Sequence, residues 1–321
     1  MFNKEDIEIF VLTSNKKETL AETLKSLLNQ SVGEILITVM DMQSSDGTGE
    51  LVYQMQQKYP NISYNWFDST NKFEIFINAI DRTKTKFVML FNDVDILHPD
   101  YIKSALNALN KYPNSSIITC DYQVWSNPTN ENWNKASKRF YYCTSKRMFA
   151  NYLYRMERYS LAPTIYKVEN LKTHIYDLEY YAQFGPMVYK PFVANTMQEN
   201  EGAIILRDKK LLRYRNYLGR NNEQATYDQI IAFNKFFKKY MDEKFYSKFL
   251  FNIINYKQLK TAYFQGRDFS LSLSEFIDYA IKNDAGCISA KLCTIPYLGL
   301  FFRGLARLLR KAFKTQYIRH F

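Results

Sequence analysis

Lys86-Phe87-Val88-Met89-Leu90-Phe91-Asn92-Asp93-Val94-Asp95 constrains this chain more than any other stretch. Five consecutive large apolar residues suit a strand buried on both faces, the kind found inside a parallel sheet covered by helices. The run stops at two carboxylates one residue apart. If the strand turns at Val94, Asp93 and Asp95 can reach one oxygen-liganded cation. A hard divalent ion held by one or two carboxylates takes its remaining ligands from water and a substrate phosphate. In open α/β sheets such ligands bind at the carboxyl ends of strands. Asp100, followed by the helical spacing of Tyr101 to Tyr112, reads instead as a helix N-cap.

The chain upstream repeats one unit. Ile7 to Leu12 reads as a strand and Thr19 to Leu28 as an amphipathic helix. Ile35 to Met40 is a second strand, ending at Asp41; the turn Ser44-Ser45-Asp46-Gly47-Thr48 then opens a helix from Leu51 to Tyr59. Ile62 to Phe67, a short helix from Phe73 to Ile80 and Phe87 to Phe91 follow, and Ile117 to Asp121 closes the series. Strands alternating with helices imply right-handed crossovers and a mostly parallel sheet. No glycine-rich phosphate loop follows the first strand, which argues against dinucleotide binding and against a P-loop NTPase. Any phosphates must then be neutralised by a metal.

These blocks resemble glycosyltransferase family 2 with the GT-A fold. The resemblance rests on Val11-Leu12-Thr13-Ser14-Asn15-Lys16 with Leu24 to Ser31, on Asp41-Met42-Gln43-Ser44-Ser45-Asp46-Gly47-Thr48, on Asn78, and on Asn92-Asp93-Val94-Asp95-Ile96-Leu97, in order over roughly residues 6–121. It implies that Thr13, Ser14 and Asn15 with Asp41 hold the nucleoside, a uridine by family habit, and that Lys72 and Asn78 lie near the nucleotide. It also implies that Asp93 and Asp95 hold Mn²⁺ or Mg²⁺ across the diphosphate of a nucleotide-sugar donor. Three departures stand out. Ser14 occupies a position where the family commonly has a ring, so stacking on the base is lost or supplied elsewhere; Met42 replaces a polar residue; and the acidic block reads Asn92-Asp93-Val94-Asp95.

The resemblance divides the chain into a nucleotide-sugar-binding half (1–121), an acceptor-side half (122–222) and a helical C-terminal region (223–321). An inverting transferase needs a carboxylate base for the acceptor hydroxyl. Asp177 is the first choice, with Glu179 beside it and Glu199 and Glu201 as the later alternatives. Arg215, in Leu212-Arg213-Tyr214-Arg215, sits in a block similar to one that faces the leaving diphosphate in the family, and an Arg fork suits phosphate.

Charge separates the tail from the rest. Residues 201–321 carry 22 Lys and Arg against 10 Asp and Glu, while the first 200 are nearly balanced. Phe233, Phe236, Phe237 and Tyr240 form a stripe that reads as core. Pro296 to Phe321 reads as an amphipathic helix, with Phe301, Leu305 and Leu309 opposite Arg303, Arg307 and Arg310, suited to an anionic membrane surface or to docking on protein. Cys120, Cys143, Cys287 and Cys293 show no metal-ligand spacing. No leader-like segment opens the chain, and no stretch reaches the roughly 18 apolar residues of a spanning helix. The expectation is a cytoplasmic, peripherally membrane-attached enzyme of surface-polysaccharide synthesis with a saccharide or lipid-linked acceptor, as a monomer or an oligomer. The rivals are a relative that only binds or scaffolds, and a basic nucleic-acid-binding protein, which would leave the two aspartates unexplained.

Overall fold

The computed structural model describes residues 1–69, 72–120, 123–125, 140–155, 163–174, 176–177, 180–181, 183–184, 188–206, 212–215, 227–240 and 319–320. Its first third follows the alternation in the sequence: β1 (Ile7–Thr13), α1 (Lys17–Leu28), β2 (Leu36–Met42), α2 (Thr48–Gln56), β3 (Ile62–Phe67), α3 (Lys72–Arg82) and β4 (Phe87–Asn92). The four strands pair in parallel in the order β3-β2-β1-β4.

Because successive residues of a strand point to opposite faces, each strand feeds two cores. Ile7, Ile9 and Val11 of β1 pack with Leu20, Leu24 and Leu27 of α1, Val52 of α2, and Tyr101, Ile102 and Leu109 of α4 (Tyr101–Lys111). Phe10, between them in sequence, packs on the other face with Ile75, Phe76 and Ile80 of α3. The same cluster takes in α5 (Lys146–Arg155), α6 (Val168–His174), α7 (Tyr189–Thr196) and α8 (Tyr227–Lys238). In α8 the aromatic stripe is core, as its spacing suggested: Phe233 is 1% and Phe237 0% exposed. Both rings pack against Tyr154, whose hydroxyl donates to Asn234 Oδ1 at 2.7 Å.

Beyond β4 the sheet is built from strands far apart in sequence. β5 (Ile96–Leu97) leaves the main sheet, and β6 (Ser115–Cys120) returns to it. Between β4 and β6 lies β9 (Ile165–Lys167), antiparallel to both. β10 (Gly202–Leu206) runs parallel to β6 on its other side, and β8 (Phe140–Cys143) is antiparallel to β10. One continuous sheet therefore crosses the boundary expected at residue 121, and the two expected halves share its cores. A three-stranded sheet lies apart, with β11 (Leu212–Arg215) between β5 and β7 (Gln123–Trp125).

The end of the chain departs from expectation. Arg319–His320 form a short strand, β12, antiparallel to β8 at the sheet's edge, so the helix read over Pro296 to Phe321 does not run to its end, because extended backbone there meets an open strand edge. The rest of that segment lies outside the described residues. Among the described residues no helix is long and apolar enough to cross a membrane.

Candidate active site

The carboxyl ends of the parallel strands meet in one row. Leu12 of β1 is opposite Asn92 of β4, Thr13 is opposite Asp41 of β2, and Asp41 is opposite Trp66 of β3. Adjacent strands lie about 4.8 Å apart, so residues from four separate blocks of sequence converge along one edge.

The loops after β1 and β2 are stitched together. Ser14 Oγ donates to the Met42 carbonyl at 3.0 Å, Asn15 N–H to Ser44 Oγ at 2.8 Å, and Ser45 N–H to Asn15 Oδ1 at 2.8 Å. Asn15 (φ 51°) and Gln43 (φ 56°) both take left-handed backbone, tolerable for Asn and costly for Gln, on the order of 1–3 kcal/mol. Asp46 ties the two following helices to this rim: one oxygen accepts the Lys17 N–H of α1 at 3.0 Å, the other the Thr48 hydroxyl and N–H of α2 at 2.6 and 3.1 Å. Burial pushes its carboxyl up, but these hydrogen bonds together prevail and hold it below the ordinary aspartate value.

Asp41, expected to help hold the nucleoside, stands near the end of β2. It is 0% exposed. Its Oδ1 accepts the Ser44 N–H at 3.0 Å and its Oδ2 the Tyr64 hydroxyl at 2.7 Å. Its carboxylate is committed to shaping the loop. Tyr64, which no local pattern singled out, is its partner from the next strand; burial first, then this bond, raise the Tyr64 hydroxyl well above its usual value.

Asp93 and Asp95 follow β4 in a tight turn closed by the Asp95 N–H to Asn92 carbonyl bond at 3.4 Å. Asp95 is 0% exposed, and its Oδ2 accepts Asn92 Nδ2 at 2.7 Å. Its carbonyl accepts the Thr23 hydroxyl of α1 at 2.9 Å, and Leu97 N–H donates to Ser26 Oγ at 3.2 Å, so α1 fixes the turn from behind. Asp93 is half-buried beside the loop after β1. Burial raises its carboxyl, against the Thr13 hydroxyl, the Ser14 N–H and the charge of Lys16. The Thr13 hydroxyl is buried and faces it without completing a hydrogen bond of ordinary geometry.

This donor set suits a hard cation. It offers two carboxylates on one turn, one of them oriented by an amide, and among the described residues no cluster of three or more His, Cys, Asp or Glu completes a cage. Two protein carboxylates with a substrate diphosphate and water are what Mg²⁺ or Mn²⁺ needs. Asp100 stands at the N-cap position of α4, as read, but its side chain makes no capping bond; Oδ1 accepts the Ser31 hydroxyl at 2.7 Å.

Other expected residues are placed as follows. Lys72 opens α3, its side chain lying outside the described residues; Asn78, a turn and a half along, has a buried Oδ1 without a hydrogen bond. Arg215 lies on β11, whose Arg213 is opposite Ile96, so the chain around Arg215 runs beside the Asp93–Asp95 turn.

Of the proposed bases, those among the described residues stand away from this edge. Glu201 precedes β10, which runs in the same direction as β4, so it stands at the opposite, strand-start end of the sheet. There it accepts Lys167 Nζ at 3.1 Å, Asn170 Nδ2 at 2.5 Å and the Gln198 N–H at 3.2 Å. Glu199 is exposed two residues earlier. Asp177 follows Tyr176, whose hydroxyl donates to Asp81 at 2.7 Å in the last turn of α3, again toward the strand starts. Glu179 lies outside the described residues. We expect Asp177→Ala to change turnover less than about threefold; a loss approaching the 10²–10⁴-fold of a general base would require Asp177 to reach the other edge.

A mixed sheet with a parallel first third, a stitched rim over β1 and β2 and two aspartates after β4 is the arrangement expected of a glycosyltransferase of the GT-A fold. The chain belongs to glycosyl transferase family 2, whose model matches residues 8–172, just over half its length. Among solved structures, residues 1–349 of S. aureus TarS are similar, with TM-score 0.58 at 15% identity, covering 88% of this chain and 89% of that one. The same holds of that fragment in complex with UDP-GlcNAc, at TM-score 0.58 and 15% identity. Mannosyltransferase PcManGT from Pyrobaculum calidifontis, in complex with GDP-Man and Mn²⁺, gives TM-score 0.51 at 14% identity, covering 98% of this chain and 87% of that one. At such identities the likeness is one of fold. No curated protein matches this sequence.

Proposed function

We propose that this glycosyltransferase moves a sugar from a nucleotide-diphosphate donor to a saccharide hydroxyl, with inversion and with a divalent cation. The observation that carries the reading is the Asp93–Asp95 turn: a half-buried and a buried carboxylate at a strand end, the second oriented by Asn92 and the turn braced by Thr23, beside a rim with no glycine-rich phosphate loop. A cation held there would neutralise the departing diphosphate, a charge that grows in the transition state. The chain's own part is orientation: α1 and Asn92 hold the acids, Asp41 and Tyr64 fix the β2 loop, and Ser14, Asn15, Ser44 and Ser45 lock the two rims so that the donor meets a preorganised surface. The UDP-GlcNAc and GDP-Man of the two structural neighbours make uridine and guanosine diphosphate sugars the donors to try first. The basic pattern of residues 296–321 supports a lipid-linked acceptor met at an anionic membrane surface, in surface-polysaccharide synthesis.

The test is a panel of nucleotide sugars with the purified chain. At least one should raise its melting temperature in Mn²⁺ or Mg²⁺ and be slowly hydrolysed, and chelation should reverse both effects. A panel that neither binds nor turns over under any divalent ion would leave a binding or scaffold role.

A further inference from the structure

Trp66 is a large aromatic at the carboxyl edge that neither core claims. Its exposure is 54%, unusual for an indole at the end of a strand whose neighbour is wholly buried. The side chain's direction follows from the pleat. Ile62 and Tyr64 of β3 face the core formed with α1 and α2, and Trp66, two residues on, faces the same way. Tyr64 confirms the direction by reaching Asp41, the residue opposite Trp66 in the sheet. The first turn of α2 lies over Tyr64, where a Cβ on Gly49 would come 3.1 Å from its hydroxyl, while Trp66 stays exposed. Gln43 Nε2 donates to Asp68 Oδ1 at 2.7 Å, tying the loops on either side.

We propose that Trp66 is the surface on which the donor's nucleobase stacks. The inference rests on the donor reading above. In the sheet order β4-β1-β2-β3, a diphosphate at the Asp93–Asp95 turn and an indole on β3 are three strand spacings apart, about 14 Å, a span comparable with a nucleoside diphosphate laid along the edge. The loop after β1 has no ring to offer, since Ser14 stands there with its hydroxyl on the Met42 carbonyl. The acceptor has no claim on Trp66, because β3 is the outermost strand and the strands of the acceptor-side half, β9 and β10, lie beyond β4 on the other side. A π-face also explains why no base-specific polar group is needed at this position, stacking being tolerant of base identity.

The experiment measures binding of UDP, GDP and inorganic pyrophosphate, each with Mn²⁺, to the wild type, Trp66→Ala and Trp66→Phe by calorimetry, with melting temperatures as a fold control. Trp66→Ala should weaken UDP and GDP by about 5- to 150-fold and leave pyrophosphate unchanged, while Trp66→Phe, which keeps a ring, should recover most of the loss. If the wild type binds UDP or GDP and Trp66→Ala binds it equally, the stacking role is overturned and the donor reading stands. Equal weakening of pyrophosphate and nucleotide would also overturn it, since the damage would not lie at the base. A wild type that binds neither nucleotide would sink the donor reading and this inference with it.

Discussion

Asp95→Asn is expected to reduce transfer by on the order of 10³-fold or more while the melting temperature stays near that of the wild type. The asparagine keeps the shape, and its amide oxygen can still accept the Asn92 Nδ2 hydrogen bond now made at 2.7 Å; the backbone carbonyl still accepts Thr23. What disappears is a formal charge in a wholly buried position, and with it, on the proposed function, the hold on a cation that would be worth several kcal/mol to a departing diphosphate. Asp93→Asn should act in the same direction, and chelation of the wild type should reproduce both. Transfer by the double variant at the wild-type rate would remove the metal assignment.

Glu201→Ala should do the reverse, lowering stability by about 2–4 kcal/mol with little change in kcat for the molecules that remain folded. Its nearly buried carboxylate takes Lys167, Asn170 and the Gln198 N–H, and its loss removes an acceptor that the three share at the start of β10, leaving Lys167 only its exposed pairing with Glu169 and Asn170 only the Thr196 carbonyl. The pH dependence has a definite sign. Burial raises the Glu201 carboxyl, but the bonds from Asn170 and Lys167 together outweigh it, so the folded-state value lies below the ordinary one of about 4.3. The contribution is therefore complete above that ordinary value and is lost as pH falls through the lower, folded-state one. Denaturant titrations of wild type and Glu201→Gln at pH 7 and pH 3 should converge at the acid end. A parallel pair of curves, or a variant that is stable but cannot transfer sugar, would return Glu201 to the list of candidate bases.

The contrast between these two acids shows what kind of information each carried in the sequence. Asp93 and Asp95 follow a strand that announces itself by an unbroken apolar run, and their position at its carboxyl end needs nothing but the direction of the chain. Glu201 and Asp177 look equally acidic in sequence, yet both fall toward the strand starts, because which end of the sheet a residue reaches depends on the direction of β10 and on how α6 returns along α3. The same holds for Asp41: its position at the end of β2 was legible, but its burial under Ser44 and Tyr64 comes from a side chain on the neighbouring strand.

By itself the sequence determined the alternating first third, the parallel order it implies, the aromatic core face of α8 and the acidic turn after β4. These are local signals, periods of about 3.6 and 2 residues with turns between them, and burial on both sides of the sheet reinforces each one. Only the tertiary structure decided that β9 slips antiparallel between β4 and β6, that β11 comes back beside the residues following Asp95, and that Trp66 is left uncovered where α2 begins. Strands of two to four residues are too short to show a period. Their partners lie tens to more than a hundred residues away, so their pairing follows from which edges remain open once the local units have packed, and no window of sequence holds that information.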